Sequence, residues 1–273
     1  MKRKLAFLLM LCFGWSFFLN GCGGTLPKTD DRLQVVCTIF PEYDWARQLT
    51  QGVDNVDLTL LVKNGTDLHS YQPSVRDIAM IARADVFCYV GGVSDTWVND
   101  VLDTTENRTA QLVYMAEAAD ADEEVLAEGM QAEHEHEHEH EHDHHDDESD
   151  SHEEPPELDE HVWLSLRRAA LACTAMKEAL CKADPAHEDI YNQNCTDYLQ
   201  KLQELDSDFT EMTSQAAQDT IVVADRFPFR YLAEDYGLTY YAAFPGCSAE
   251  TEASFETIVF LSEKVESLHL PCV

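Results

Sequence analysis

Cations are scarce in this chain. Its 273 residues carry 18 Lys and Arg against 52 Asp and Glu, a formal charge of −34. A polyanion of that kind repels a phosphate backbone, which excludes nucleic acid as a first partner and suits a polypeptide that attracts cations. Paired cysteines are missing too: nine cysteines are scattered without one Cys-x-x-Cys, which argues against a zinc ribbon or a dense disulfide framework. Several of them (Cys37, Cys88, Cys173, Cys181, Cys195, Cys247) sit in or near apolar runs, where a buried free thiol is the simple reading. Outside one alternating tract there is no His-Glu-x-x-His, and there is no nucleophile elbow, so hydrolase chemistry is not indicated.

What is present begins with Lys2, Arg3 and Lys4, an apolar run to Leu19, and a small-residue site. This reads as a secretory signal over residues 1–21. Leu19-Asn20-Gly21-Cys22 resembles the bacterial lipobox, which predicts a mature chain starting at a lipidated Cys22, held to a membrane by acyl chains without spanning it. Plain secretion with Cys22 incidental is the alternative. Removing the signal takes away three cations and no acid, moving the charge from −34 to −37.

Residues 22–32 read as a polar linker. Strand-like runs follow at 33–40, 56–62, 84–92 and around 111–114, alternating with helical stretches. That alternation predicts a parallel sheet with its working loops at the strand C-termini, in a first lobe spanning 33–165. Ser74 with Asp77 marks a helix start. Acids dominate 116–158 with no apolar period, which predicts a disordered insert. Residues 166–217 turn helical, broken at Asp184-Pro185, and Tyr191, Cys195, Tyr198, Leu199, Leu202 and Leu205 mark one apolar face. Strand signals return at 220–225 and 238–244, before a last helix, so residues 218–273 read as a second, partial α/β lobe.

Three features point to metal. His134, His136, His138, His140, His142, His144, His145 and His152 alternate with carboxylates inside the insert. Neutral imidazoles and carboxylates ligate borderline cations such as Zn2+, but a flexible tract is unselective and weakens below about pH 6 as imidazole protonates. It therefore reads as an accessory. His69 lies in the strand-to-helix loop "NGTDLHSYQPSVRDI", and His161 follows the insert in "LDEHVWLSLRRA", where Asp159 is placed to orient its imidazole. Taken singly, His69 fits a surface residue and His161 a ring packed on Trp163.

Together they resemble the metal-binding receptors of bacterial zinc and manganese ABC importers, the ZnuA/TroA-like substrate-binding lipoproteins. The first motif is matched by Gly65, Asp67, His69, Tyr71, Pro73 and Ser74, the second by Asp159, His161, Val162, Trp163 and Leu164. The resemblance extends over nearly the whole mature chain, and zinc-transporting members carry a similar His-rich insert. It implies two α/β lobes joined by a long rigid helix, the cation held between them by His69 and His161. It also implies a lipid-anchored monomer with no enzymatic turnover that captures Zn2+, with Mn2+ as alternative, and delivers it to an ABC permease and its ATPase. Two departures stand out. Register on Tyr231, Tyr236 and Gly237 puts Arg226 where the family has a third histidine, and because arginine stays protonated, Asp225 or water is left to complete the site. The family pattern also continues past Val273, so the second lobe reads as incomplete and the chain as C-terminally truncated. A cell-surface metal buffer, or a non-functional truncated receptor, in which the tract does the binding is the rival expectation.

Overall fold

Short apolar runs bounded by turns form the first sheet: β1 (Leu33–Cys37), β2 (Val56–Leu60), β3 (Val86–Tyr89) and β4 (Gln111–Tyr114). All three pairings are parallel and the order is β2-β1-β3-β4. The structure is a computed structural model describing residues 31–63, 65–105, 109–130, 157–248 and 252–271. Cys22, all eight tract histidines and Cys272 therefore lie outside the described residues.

Because successive side chains leave a strand on opposite faces, β1 feeds two cores. Val35 and Cys37 join Val86, Cys88 and Val113 beneath helices α1 (Phe40–Leu49), α5 (Leu166–Ala183) and α6 (Glu188–Ser214), whose Trp45, Cys173, Met176 and Tyr191 close that layer. Val36 and Phe87 face the other way, against Ile81 of α2 (Val75–Ile81) and Trp97, Val98 and Val101 of α3 (Trp97–Thr104). Helices on both faces bury the sheet, which is why its strands need not alternate with polar residues. The Ser74–Asp77 capping box opens α2.

The chain leaves β1 towards β2 on one side and returns to β3 on the other, so the order reverses at β1, where α/β sheets form a crevice. Two buried carboxylates fix the loops there. Glu42 accepts from Thr38 N–H at 2.8 Å and Ile39 N–H at 3.2 Å, and Asp95 accepts from Val90 N–H at 2.7 Å and Gly91 N–H at 3.1 Å. Burial, with repulsion from Asp95 second, pushes the Glu42 carboxyl up to about 8, so it is largely protonated at neutral pH.

Beyond α6 lies a second, smaller sheet in which β5 (Thr220–Phe227) pairs in parallel with β6 (Thr239–Pro245), with a bulge between Val223 and Arg226. Helix α7 (Arg230–Asp235) joins them and α8 (Phe255–Ser267) packs Leu261 on Val222 and Phe244. The 27 residues of α6, at 1.5 Å per residue about 40 Å long, bridge the two sheets. Tyr191 and Cys195 sit in the first core, while near the far end Phe209 stacks on Tyr236 and Asp206 accepts from Tyr236 Oη at 3.0 Å. No described helix is long and apolar enough to cross a membrane.

One boundary needs correction. Disorder was expected from residue 116, yet β4 runs directly into α4 (Met115–Ala118), and 119–130 holds a defined path against the second sheet. Glu123 bridges to Leu158, Tyr231 Oη donates to the Asp159 carbonyl at 2.7 Å and accepts from Asp122 N–H at 3.0 Å, and Arg230 Nη1 donates to the Glu123 carbonyl. The acidic composition of this stretch concealed backbone groups satisfied by distant partners. Replacing Tyr231 by Phe strands two of them, so Tyr231→Phe is expected to lower stability by about 1–3 kcal/mol. A shifted urea midpoint at unchanged slope is the signature, and an unshifted midpoint would show that the tether carries no weight.

Candidate metal centre

Loops at the carboxyl ends of the first sheet bring two imidazoles together. His69 rides on a single turn (Leu68–Ser70) after β2, capped by Asp67, which accepts from His69 N–H at 3.2 Å. His161 precedes another single turn (Val162–Leu164), whose chain then enters α5 through the Ser165 cap. The two rings lie 5.8 Å apart between centroids, although 92 positions separate them in sequence. His161 is buried and also packs its ring 5.2 Å from Trp163.

Each ring is oriented through Nδ1. Asp159 Oδ1 lies 2.9 Å from His161 Nδ1 and 3.1 Å from the His161 backbone nitrogen. Ser94 Oγ lies 2.8 Å from His69 Nδ1 and gives its own proton to the Glu160 carboxylate, so the serine oxygen accepts from Nδ1–H. Glu160 Oε1 is 3.3 Å from the same nitrogen, and Oε2 accepts from Ser94 N–H at 3.2 Å. Both imidazoles are thereby left with Nε2 as the nitrogen available to a cation. Burial, then the neighbouring His161, lowers the His69 pKa, with Asp67 opposing, which keeps that lone pair free near neutrality.

The second sheet closes over this pair. Arg226, at the end of β5, lies with Nη1 3.9 Å from Asp67 Oδ2 and donates to the Ser248 carbonyl at 3.4 Å. Asp225 is not brought to the imidazoles. The β5 bulge turns it to solvent, where its carboxylate accepts from Arg226 N–H at 2.7 Å. In its place β6 delivers Gly246 and Cys247. Sγ of Cys247 is 3.9 Å from His161 Nδ1, and among the described residues Asp159, His161 and Cys247 offer ligand atoms all within 4.8 Å of one another. Gly246 permits this approach, since a Cβ there would sit 2.8 Å from His161 Cε1. Glu124 anchors the loop by accepting from Cys247 N–H at 3.0 Å.

Sequence reasoning missed Glu160, Ser94 and the position of Cys247. Glu160 stood in plain view between Asp159 and His161, but its partners come from a loop 66 residues away. Cys247 passed as an ordinary buried thiol.

Residues 35–273 match the family described as "Zinc-uptake complex component A periplasmic". The chain belongs to this family. It is 33% identical over 266 residues to the zinc-binding lipoprotein AdcA of Streptococcus pneumoniae, covering 97% of this chain and 48% of that protein. It is 32% identical over 237 residues to the high-affinity zinc uptake system protein ZnuA of Bacillus subtilis, covering 85% and 68%. The chain thus spans about half the length of the streptococcal relative. The crystal structure of the Zn(II)-bound ZnuA-like domain of Streptococcus pneumoniae AdcA matches with a TM-score of 0.63 at 29% identity, over 87% of this chain and 76% of that one, in accord with the α/β architecture.

Burial raises the Glu160 carboxyl from its ordinary 4.5 to about 7, against the hydrogen bonds from Ser94, which lower it. In metal-free protein its share of stability is complete below its unfolded value and is lost as pH rises through about 7. His69, with its imidazole depressed, acts oppositely and costs stability as pH falls below its unfolded value. Comparing parent with Glu160→Gln isolates the first effect: the stability difference is expected to change by on the order of 3 kcal/mol between about pH 4 and pH 8. Parallel unfolding profiles across that range would show that Glu160 does not titrate with folding.

Proposed function

We propose that this chain is the receptor component of a zinc importer, capturing Zn2+ between its lobes outside the cytoplasm and handing it to a membrane permease driven by an ATPase. The observation that carries this reading is the convergence of His69 and His161 in the crevice, each held through Nδ1 by a protein partner. Two oriented imidazoles with Asp67, Glu124 and Asp159 close by suit a borderline divalent cation. Membership of a zinc-uptake family and the names of its relatives support the cargo. Nitrogen ligands favour Zn2+ over Mn2+, which prefers oxygen.

The role is capture and release, without turnover. A catalytic zinc keeps an open water position beside a general base, whereas the acid beside His69 is engaged by Ser94. Anchoring at Cys22 would keep a monomeric receptor at the outer membrane face. The tract from His134 to His152 would gather cations weakly and raise their concentration at the cleft mouth, an aid that fades as the histidines protonate.

Calorimetric zinc titration of residues 23–273 tests this, with and without residues 133–152, and with His69→Ala in the shortened chain. One tight site is expected to survive loss of the tract and to vanish with His69→Ala. Weak multiple sites that disappear with the tract would make the chain a surface buffer instead.

A further inference from the structure

Two thiols meet at the centre of the first sheet. β1 pairs with β3 in parallel, Val35 against Val86 and Cys37 against Cys88, and both cysteines join the same core as Val113 and Met176. Neither has any exposed surface. The Cys88 thiol, as hydrogen-bond partner, is the first cause holding the Cys37 thiol well above its ordinary range, with burial second. Opposed residues on neighbouring strands stand about 4.8 Å apart, inside the span of roughly 4.4–6.8 Å that a disulfide needs between its Cα atoms. Among the described residues no other two cysteines are opposed in a sheet. Cys195 instead points Sγ at the Cys173 carbonyl, 4.0 Å away, and Cys247 points towards His161 and the Leu158 carbonyl.

We propose that Cys37 and Cys88 form a disulfide as the chain folds, stapling β1 to β3. Only the compartment is taken from the receptor reading above, since outside the cytoplasm thiols are not kept reduced. The bond would join the strands just before the loops of the crevice. Thr38, next to Cys37, gives its N–H to the Cys88 carbonyl and to Glu42. Val90, two residues past Cys88, donates to Asp95, the neighbour of the Ser94 that holds His69. A link enclosing residues 38–87 also restricts the unfolded chain.

The reaction is thiol–disulfide exchange, with a small-molecule or protein disulfide as oxidant. The Cys37 thiolate attacks one sulfur of that reagent and expels the other as a thiolate. The Cys88 thiolate then attacks Cys37 Sγ in the mixed disulfide and expels the remaining half. Two protein thiols are oxidised, one disulfide is reduced to two thiols, and the two protons pass to the departing thiolates. Burial fixes the timing: a thiol shut from solvent with its pKa raised offers no thiolate, so exchange precedes closure of the core.

Peptide mapping tests the staple. The full chain, unfolded and reduced, is refolded in a glutathione redox buffer, alkylated, and cleaved with trypsin without reduction. Cleavage after Arg32, Arg47, Arg83 and Arg108 leaves Cys37 alone in peptide 33–47 and Cys88 alone in peptide 84–108. Expected is a linked pair of these peptides that reduction separates, with a urea midpoint for the oxidised chain above that of the reduced chain. Cys88→Val, which keeps an apolar side chain there, is expected to show neither. Recovery of both peptides as alkylated thiols, or of either joined to another cysteine, overturns the staple and leaves the receptor reading to its own zinc titration. A linked pair without a raised midpoint overturns it too, since a bond at home in the native sheet must stabilise it.

Discussion

Glu160 is a carboxylate with no exposed surface, and the rest of the centre is arranged around meeting its needs. One oxygen accepts from the Ser94 backbone and the other from the Ser94 hydroxyl, 66 residues away, while His69 Nδ1 lies 3.3 Å off. A buried acid left without such partners would cost several kcal/mol or stay protonated. The loops after β2 and β3 are therefore tied to the segment entering α5 by one side chain. Gly92, two residues before Ser94, has φ +90°, and a Cβ there would meet Glu160 Oε2 at 2.8 Å. The same chain that feeds Glu160 its donors thus also has to stay small beside it.

That tie matters because the sheet alone does not orient a ligand. Parallel strands converge on a crevice, but they set only where loops begin. Direction comes from hydrogen bonds: Asp159 to His161, Ser94 to His69, Glu42 and Asp95 to the loops after β1 and β3. On the other side α6 couples the first core to Tyr236, and Tyr231 reaches from α7 to Asp122 and Asp159. The elements around the two sheets are thereby joined by side-chain contacts.

Much of this was legible before any coordinates. Strand runs such as Leu33–Cys37 and Val86–Tyr89 are too apolar and too short for anything else, and the Asp184-Pro185 break divides α5 from α6 where proline forbids the helix to continue. His69 and His161 were identifiable through their motifs, since neither carries a distinctive local pattern alone. What stayed hidden depended on tertiary proximity. Residues 119–130 look like acidic spacer, and their polar groups find partners in distant residues such as Arg168, Tyr231, Arg230 and Cys247. Asp225 and Cys247 show the same limit. Counting residues from Tyr231 put Arg226 in the ligand position with Asp225 or water left to complete the site, and it could not foresee the register shift in β5 between Val223 and Arg226, beside which Asp225 is exposed.

Arg226 then sets the electrostatic terms of the cleft. Burial first, then His161, lowers the His69 pKa, and the Arg226 guanidinium adds to that fall while Asp67 opposes it. Asp67, 3.9 Å from Nη1, offsets part of the guanidinium charge. In the receptor reading proposed above, an arriving cation would meet this guanidinium with Asp67 set against it, so the acids beside His69 and His161 would decide whether the site attracts it.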